Sequence, residues 1–274
     1  MYMSNIPKII HYCWFGGNPL SDLALKCINS WKKYCPDYKI IEWNENNFDI
    51  NSNMYVKEAY QAKKWAFVTD YVRLFVLYEY GGIYMDTDVE IIRNIDRFLC
   101  YDAFSGFETV NSIPTAIMGA KKGNEWIKYL LSFYDNKHFI CEDGSFDTTT
   151  NVITITNMTK KKYNIHLNNK FQNIDEGIVL YPKEYFCPKD YITGEIILTK
   201  NTYCIHHFAA SWHTEVEKIQ FEKYKKYRKL FGNNLGKKIY IFNRHLNTLK
   251  TKGIFYCIKK LYNKYINIIL RIIS

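Results

Sequence analysis

Proline and glycine are sparse in this 274-residue chain, 6 and 13 residues, which excludes a fibrous or low-complexity protein. No run approaches the ~18–20 uninterrupted apolar residues of a membrane-spanning helix. The opening MYMSNIPKII lacks the basic-then-apolar pattern of a secretory leader, so residence in the cytosol is expected. None of the eight cysteines falls in a C-x-x-C pair, which argues against a zinc ribbon or a thioredoxin-type motif. Without an export signal, a disulfide framework is not expected either. Also missing are G-x-x-x-x-G-K-[ST], G-x-G-x-x-G, G-x-S-x-G and H-E-x-x-H. Kinase-type phosphate loops, dinucleotide binding, serine hydrolysis and zincin chemistry therefore have no support.

What is present suffices for a large core: hydrophobic residues make up 47% and aromatics 17%. The net charge of +10 is unevenly spread. Residues 215–274 hold 15 Lys/Arg against 3 Glu, whereas residues 1–214 hold 22 basic and 24 acidic residues. The asymmetry implies a domain over 1–214 and a basic extension over 215–274, with a polyanionic surface as the extension's partner. Within the extension, Ile254, Ile258, Leu261, Tyr265, Ile268, Ile269 and Ile272 recur at helical spacing. Lys260, Lys264 and Arg271 fall on the other side, the pattern of an amphipathic helix lying on a membrane surface.

Lys8–Phe15 reads as a strand stopped by Gly16-Gly17. Ser21 or Asp22 can cap a helix that ends near Cys35-Pro36, and a strand over Tyr38–Trp43 follows. That β-α-β opening predicts a parallel sheet. Ala62–Tyr80 is apolar nearly all round and free of Gly and Pro, so a buried helix is expected, stopped by Gly81-Gly82. Further on, Glu125–Tyr134 reads as a helix, and Val152–Thr156 fits strand or helix.

Asp86-Thr87-Asp88 is the only Asp-x-Asp in the chain. On an extended segment both carboxylates face one side, and with substrate oxygens they suit Mg²⁺ or Mn²⁺. Asp70 and Arg73, three apart in the buried helix, form either a mutual ion pair or a polar clamp on a ligand. His206 and His207 are adjacent, so on a strand only one of them reaches a given site. Trp14 ends the first strand, as core or as a platform on which a base stacks.

Four stretches taken together resemble the glycosyltransferases with the Asp-x-Asp sugar-binding motif, family 32, which includes capsule-type transferases and large-cytotoxin glucosyltransferase domains. They are IPKIIHYCWFGG (6–17), TDYVR (69–73), YGGIYMDTDV (80–89) and HHFAASW (206–212). The resemblance implies an α/β fold of GT-A type, a mixed, mostly parallel sheet flanked by helices, with the basic helical extension appended. It implies retaining transfer of a hexose from a nucleotide sugar to a lipid-linked or cell-surface glycan. Galactose or glucose on UDP is favoured, with GDP-mannose behind. By that similarity Asp88 binds Mn²⁺ or Mg²⁺, Asp86 contacts it through water or the donor ribose, and His207 closes the metal set. Trp14, Tyr84 and Asn151 join the donor pocket, Asp70 and Arg73 hold the donor sugar, and Trp212 lies against the leaving diphosphate. The expected setting is the inner face of the cell membrane, with the C-terminal helix on anionic lipid and no nucleic acid bound. The alternative is a metal-dependent nuclease or nucleotidyltransferase with nucleic acid on the tail. It has no third clustered carboxylate and leaves Asp70, Arg73 and the histidines without roles.

Overall fold

The computed structural model describes residues 5–113, 116–174, 177–209, 216, 218–232, 234–244 and 246. Trp212 and the amphipathic pattern of 254–272 lie outside the described residues. The chain divides into two compact units, Met1–Asp190 with Glu195–Trp212, and Tyr191–Gly194 with His213–Ser274.

The larger unit is a seven-stranded sheet between helices. Its strands are β1 (Ile9–Cys13), β2 (Lys39–Trp43), β3 (Gly82–Met85), β5 (Ala103–Gly106), β6 (Ile117–Ala120), β7 (Gln172–Ile174) and β8 (Ile178–Tyr181), in the order β2-β1-β3-β6-β5-β8-β7. Strands β2, β1, β3, β5 and β8 run one way, and β6 and β7 run against them. The sheet is mixed and mostly parallel, as expected. Strands β4 (Val89–Ile91) and β9 (Cys204–His206) form a separate antiparallel pair. The carboxyl ends of β1, β3 and β5 share one edge of the main sheet, where an open α/β sheet binds its ligands.

Local signals explain most elements. Helix α1 (Asp22–Tyr34) starts where the Ser21 hydroxyl accepts the Ala24 amide at 3.2 Å and buries Ala24, Cys27, Ile28 and Trp31. Its Trp31 indole donates to the Val89 carbonyl at 2.7 Å, and its Ser30 hydroxyl accepts the Ile91 amide at 2.9 Å, so α1 ties β4 in place. The helix expected from Ala62 starts at Trp65, after a separate helix that ends before the apolar stretch begins. Helix α2 (Met54–Gln61) ends first, Lys63 takes a positive φ of 55°, and α3 (Trp65–Tyr80) begins beyond it. Residues 151–162, readable either way from Val152 to Thr156, form helix α5 (Asn151–Lys162), packed against α4 (Glu125–Leu131).

Gly81 and Gly82 deliver the chain from α3 into β3 with φ of 65° and 109°. A Cβ on Gly82 would lie 2.7 Å from the Ile9 carbonyl oxygen, and one on Gly81 would lie 2.6 Å from the Lys122 amide nitrogen. Neither position accepts an L side chain. His11, fully buried on β1, clamps this junction: its Nε2 lies 2.8 Å from the Gly81 carbonyl, while Nδ1 accepts the Trp43 indole N–H at 3.0 Å. That tautomer is neutral, and burial brings the imidazole down to about 4 against the pull of the Gly81 carbonyl.

Between pH 6.5 and about 4 the unfolded chain therefore holds a proton on His11 that the folded chain does not. The stability from His11 is complete above pH 6.5 and is lost as the pH falls through that window. Between pH 6.5 and 5, urea denaturation of the native chain should lose about 2 kcal/mol more than His11→Gln, in which that titration is absent. Equal losses in the two proteins would contradict the neutral assignment.

Candidate functional site

Asp86 and Asp88 converge, but not by strand alternation as their sequence suggests. They stand in the turn between β3 and β4, where the Asp86 amide donates to the Ala116 carbonyl at 2.8 Å and the Val89 amide to the Asp86 carbonyl at 3.0 Å. One carboxylate oxygen from each lies within 4.8 Å of the other and of a ring nitrogen of His206.

Helix α3 supplies the neighbouring charges. Asp70 and Arg73 are both buried and pair at 3.1 Å between Oδ1 and a guanidinium nitrogen. The same guanidinium reaches Asp86 Oδ1 at 3.3 Å and lies 4.8 Å from the centre of the Tyr84 ring. Its Nε donates to the Thr69 carbonyl at 3.2 Å. Tyr84 donates its hydroxyl to Asp86 Oδ1 at 2.9 Å. Thus the mutual ion pair exists, and Arg73 extends it to the Asp-x-Asp turn. Burial pushes Asp70 up to about 7, overcoming the opposing pull of Arg73, with Asp86 adding to the rise.

Asn151, the first residue of α5, is buried and donates its amide to the Asp70 carbonyl at 3.3 Å, while its Oδ1 accepts the Tyr134 hydroxyl at 3.4 Å. Trp14 follows β1 at the same sheet edge, half-buried, with its indole N–H held by the Asn18 carbonyl at 2.6 Å. The structure therefore brings Asp70, Arg73, Tyr84, Asp86, Asp88 and Asn151 into one connected cluster, with Trp14 on the same rim.

The histidine expectation needs correction. His207 Nε2 bonds Glu90 Oε2 at 2.8 Å, whereas His206 Nε2 lies 3.5 Å from Asp88 Oδ1. Pairing of β4 with β9 sets Val89 opposite His206 and Glu90 opposite Ile205. Alternation then places His207 on the face of Ile205 and Glu90, leaving His206 to the aspartates. Burial alone would raise Asp88, but the charge and hydrogen bond of His206 and the Ala209 amide outweigh it and hold the carboxyl at about 2. The Ala209 amide donates to Asp88 Oδ2 at 2.7 Å.

Two neighbours escape sequence reasoning. Glu108, two residues past the end of β5, is pushed upward by burial and feels the charges of His206, Asp86 and Asp88. Cys187 places its sulfur 3.9 Å from His206 Nδ1. Glu108 follows a strand that ends on the ligand-binding edge, the one signal that could have found it. Cys187 has none.

The donor set, two carboxylates and one imidazole, fits a divalent cation of the Mg²⁺ or Mn²⁺ class, which favours oxygen and accepts imidazole. Substrate oxygens would complete such a set.

Residues 21–105 match the family described as glycosyltransferase sugar-binding region containing DXD motif. Over 145 residues the chain is 30% identical to inositol phosphoceramide mannosyltransferase 3 of Schizosaccharomyces pombe, covering 49% of this chain and 40% of that protein. Over 158 residues it is 29% identical to mannosyl phosphorylinositol ceramide synthase SUR1 of Saccharomyces cerevisiae, covering 49% and 37%. The chain thus spans about two-fifths of the length of the curated relatives it matches. Among solved structures, the PaToxG glycosyltransferase shares 18% identity at a TM-score of 0.42, covering 57% of this chain and 69% of that one.

Proposed function

We propose, from the premise that this chain belongs to the glycosyltransferases with a DXD sugar-binding region, that it moves a hexose from a nucleotide diphosphate sugar to a hydroxyl of a lipid-linked acceptor, with retention. One observation carries the reading: the donor atoms of Asp86, Asp88 and His206 meet within 4.8 Å beside the buried Asp70–Arg73 pair, at the sheet edge where ligands bind. The nuclease alternative has no comparable support, because the family match covers the Asp-x-Asp turn and the α3 pair together.

The relatives alter the preferred sugar. One is named an inositol phosphoceramide mannosyltransferase and the other a mannosyl phosphorylinositol ceramide synthase, so a mannose donor moves ahead of galactose or glucose. A phosphorylated lipid headgroup becomes the favoured acceptor class.

In the reaction the bond from the anomeric carbon to the diphosphate oxygen breaks, and its electron pair leaves with the diphosphate. The acceptor oxygen forms the new bond, and its proton passes to the departing phosphate. Asp86, Asp88 and His206 would hold a divalent cation, which would supply Lewis-acid neutralisation of the diphosphate. Arg73 adds fixed positive charge from a site shielded from water, where it acts more strongly than in solution. It also holds Asp86 and Asp70 at set positions, so the developing charge meets groups already in place. Asp70 accepts from hydroxyls of the donor sugar, and Asn151 orients the Asp70 backbone. Tyr84 holds Asp86, and Trp14 offers a ring face to the base.

The melting temperature with GDP-mannose, UDP-glucose and UDP-galactose, each with and without Mn²⁺, tests the reading. At ligand concentrations near 100 times Kd, GDP-mannose with Mn²⁺ should raise Tm by roughly 5 °C or more, and much less without the metal. No shift with any nucleotide sugar sinks the proposal.

The histidine placement has its own test. Manganese titration followed by electron spin resonance of the free ion should show His206→Ala weakening Mn²⁺ binding at least about tenfold. His207→Ala, which removes only the partner of Glu90, should leave it near the native value. The reverse ranking would restore His207 to the metal set.

A further inference from the structure

No helix among the described residues is long and apolar enough to cross a membrane. The smaller unit nonetheless exposes apolar side chains in an ordered way. Residues 218–232 and 234–244 are helical. The second helix folds back on the first: the Tyr240 ring meets Tyr224 edge-on at 5.0 Å, and Asn243 donates to the Tyr227 hydroxyl at 3.2 Å. A Cβ on Gly236 would come within 2.6 Å of Arg228 Cα. Gly236, Tyr240 and Asn243, spaced i, i+4, i+7, are therefore the packed face.

About 100° around the same helix runs a second row. Leu235, Phe242 and Leu246, with half-buried Ile239 between them, recur at i, i+4, i+7, i+11. Leu235 is 55% exposed and Phe242 63%, so none of the described residues covers this row. On the first helix, Ile219, Lys223, Lys226 and Leu230 follow the same spacing, with Ile219 and Leu230 exposed. Across 218–246 stand nine Lys/Arg against one Glu.

We propose that this helical unit docks on an anionic lipid bilayer, the Leu235–Leu246 row entering the acyl boundary and the flanking lysines resting among phosphate headgroups. A contiguous exposed apolar row marks an interaction surface. The excess of positive charge selects a polyanion, and a membrane is the polyanion that also receives aliphatic side chains. Nucleic acid would leave Leu235, Phe242 and Leu246 in water. Long lysine side chains such as Lys238, one step beside the row, can lay their stems on the lipid and lift the ammonium to the headgroups. The inference stands on the charge and exposure of this unit, not on the transfer reaction. It locates lipid contact in 218–246, upstream of the 254–272 pattern.

The full chain is sedimented with vesicles of phosphatidylcholine alone and with vesicles carrying about one-third phosphatidylserine. The native chain should bind the anionic vesicles at least about tenfold tighter, with the preference fading as salt rises. Leu235→Ser with Phe242→Ser, and separately Lys237→Glu with Lys238→Glu, should each lose about tenfold of that affinity while retaining native helicity by circular dichroism. A Phe242→Trp chain should blue-shift its added emission on anionic vesicles and be quenched by brominated acyl chains. Unchanged binding in both double variants, equal binding to the two vesicle types, or tighter binding to duplex DNA than to vesicles overturns the proposal. Because vesicle binding is read without any sugar donor, its failure is distinguishable from failure of the transferase reading.

Discussion

Asp88→Ala is expected to lower nucleotide-sugar turnover by about 10³-fold, equivalent to ~4 kcal/mol of transition-state stabilisation. Asp88 is poised for this: His206 lies 3.5 Å from one of its oxygens and the Ala209 amide holds the other at 2.7 Å. Its carboxyl at about 2 is ionised throughout the working pH range. Truncation removes one of three convergent donors and the carboxylate 3.5 Å from His206, so metal affinity should fall together with rate. Single-turnover assays of transfer and of donor hydrolysis, run over a Mn²⁺ titration, give the answer. Near-normal turnover restored by excess Mn²⁺ would move the metal elsewhere. The effect is separable from unfolding, because Asp88 stands in a turn and contributes no side chain to the core.

Arg73→Ala should be the most damaging single change to the fold, at about 3–5 kcal/mol and roughly 10 °C in Tm. The guanidinium lies between two carboxylates, at 3.1 Å from Asp70 and 3.3 Å from Asp86, and is 5% exposed. Its removal strands Asp70 in a buried place, leaves the part-exposed Asp86 without its partner, and takes away the cation above the Tyr84 ring. The loss has a pH signature. Asp70 already sits at about 7 because burial outweighs Arg73, and without Arg73 it moves higher still. Below that range Asp70 keeps its proton with or without Arg73; above it the native carboxylate ionises beside Arg73, whereas the variant must either hold the proton against solution or bury an unpaired carboxylate. Arg73→Ala should therefore cost more at pH 8 than at pH 6, as read by urea midpoints. A pH-independent loss would mean that packing against Tyr84, not charge, is what Arg73 provides. The Arg73→Met, Asp70→Asn double variant should recover part of the stability, since replacing both partners removes the stranded charge.

Both changes act through a site whose parts lie far apart along the chain. Asp70 and Arg73 come from α3, Asp86 and Asp88 from the turn after β3, Asn151 from the start of α5, and His206 from β9. Only the α3 pair and the Asp-x-Asp turn are joined by a short connection, the Gly81-Gly82 stop. The α3 pair and the Asp-x-Asp turn are therefore legible together in the sequence, whereas the choice of histidine is not.

What the sequence determined by itself was local. The Ser21 cap, the Cys35-Pro36 break, the all-round apolar character of α3 and the two glycines after it each act over a few residues. Each therefore reappears in the structure close to where it was read. The division of charge at residue 215 and the four stretches carrying the family resemblance are likewise matters of order along the chain.

Tertiary pairing decided the rest. Which histidine faces the aspartates depends on the register of β9 against β4, a pairing across more than a hundred residues, and one step of register exchanges the two faces. Residues 151–162 chose helix because Ile155 enters the core, Thr156 Oγ1 accepts the Ile113 amide, and Thr159 Oγ1 accepts the Trp126 indole. The β-branched run Val152–Thr156 gives no such decision alone, since propensity yields to packing. Glu108 and Cys187 reached the site because β5 and the 183–187 turn end at its edge, which no spacing in the chain encodes. Short-range chemistry fixes the elements; the burial of one against another fixes which side chains meet.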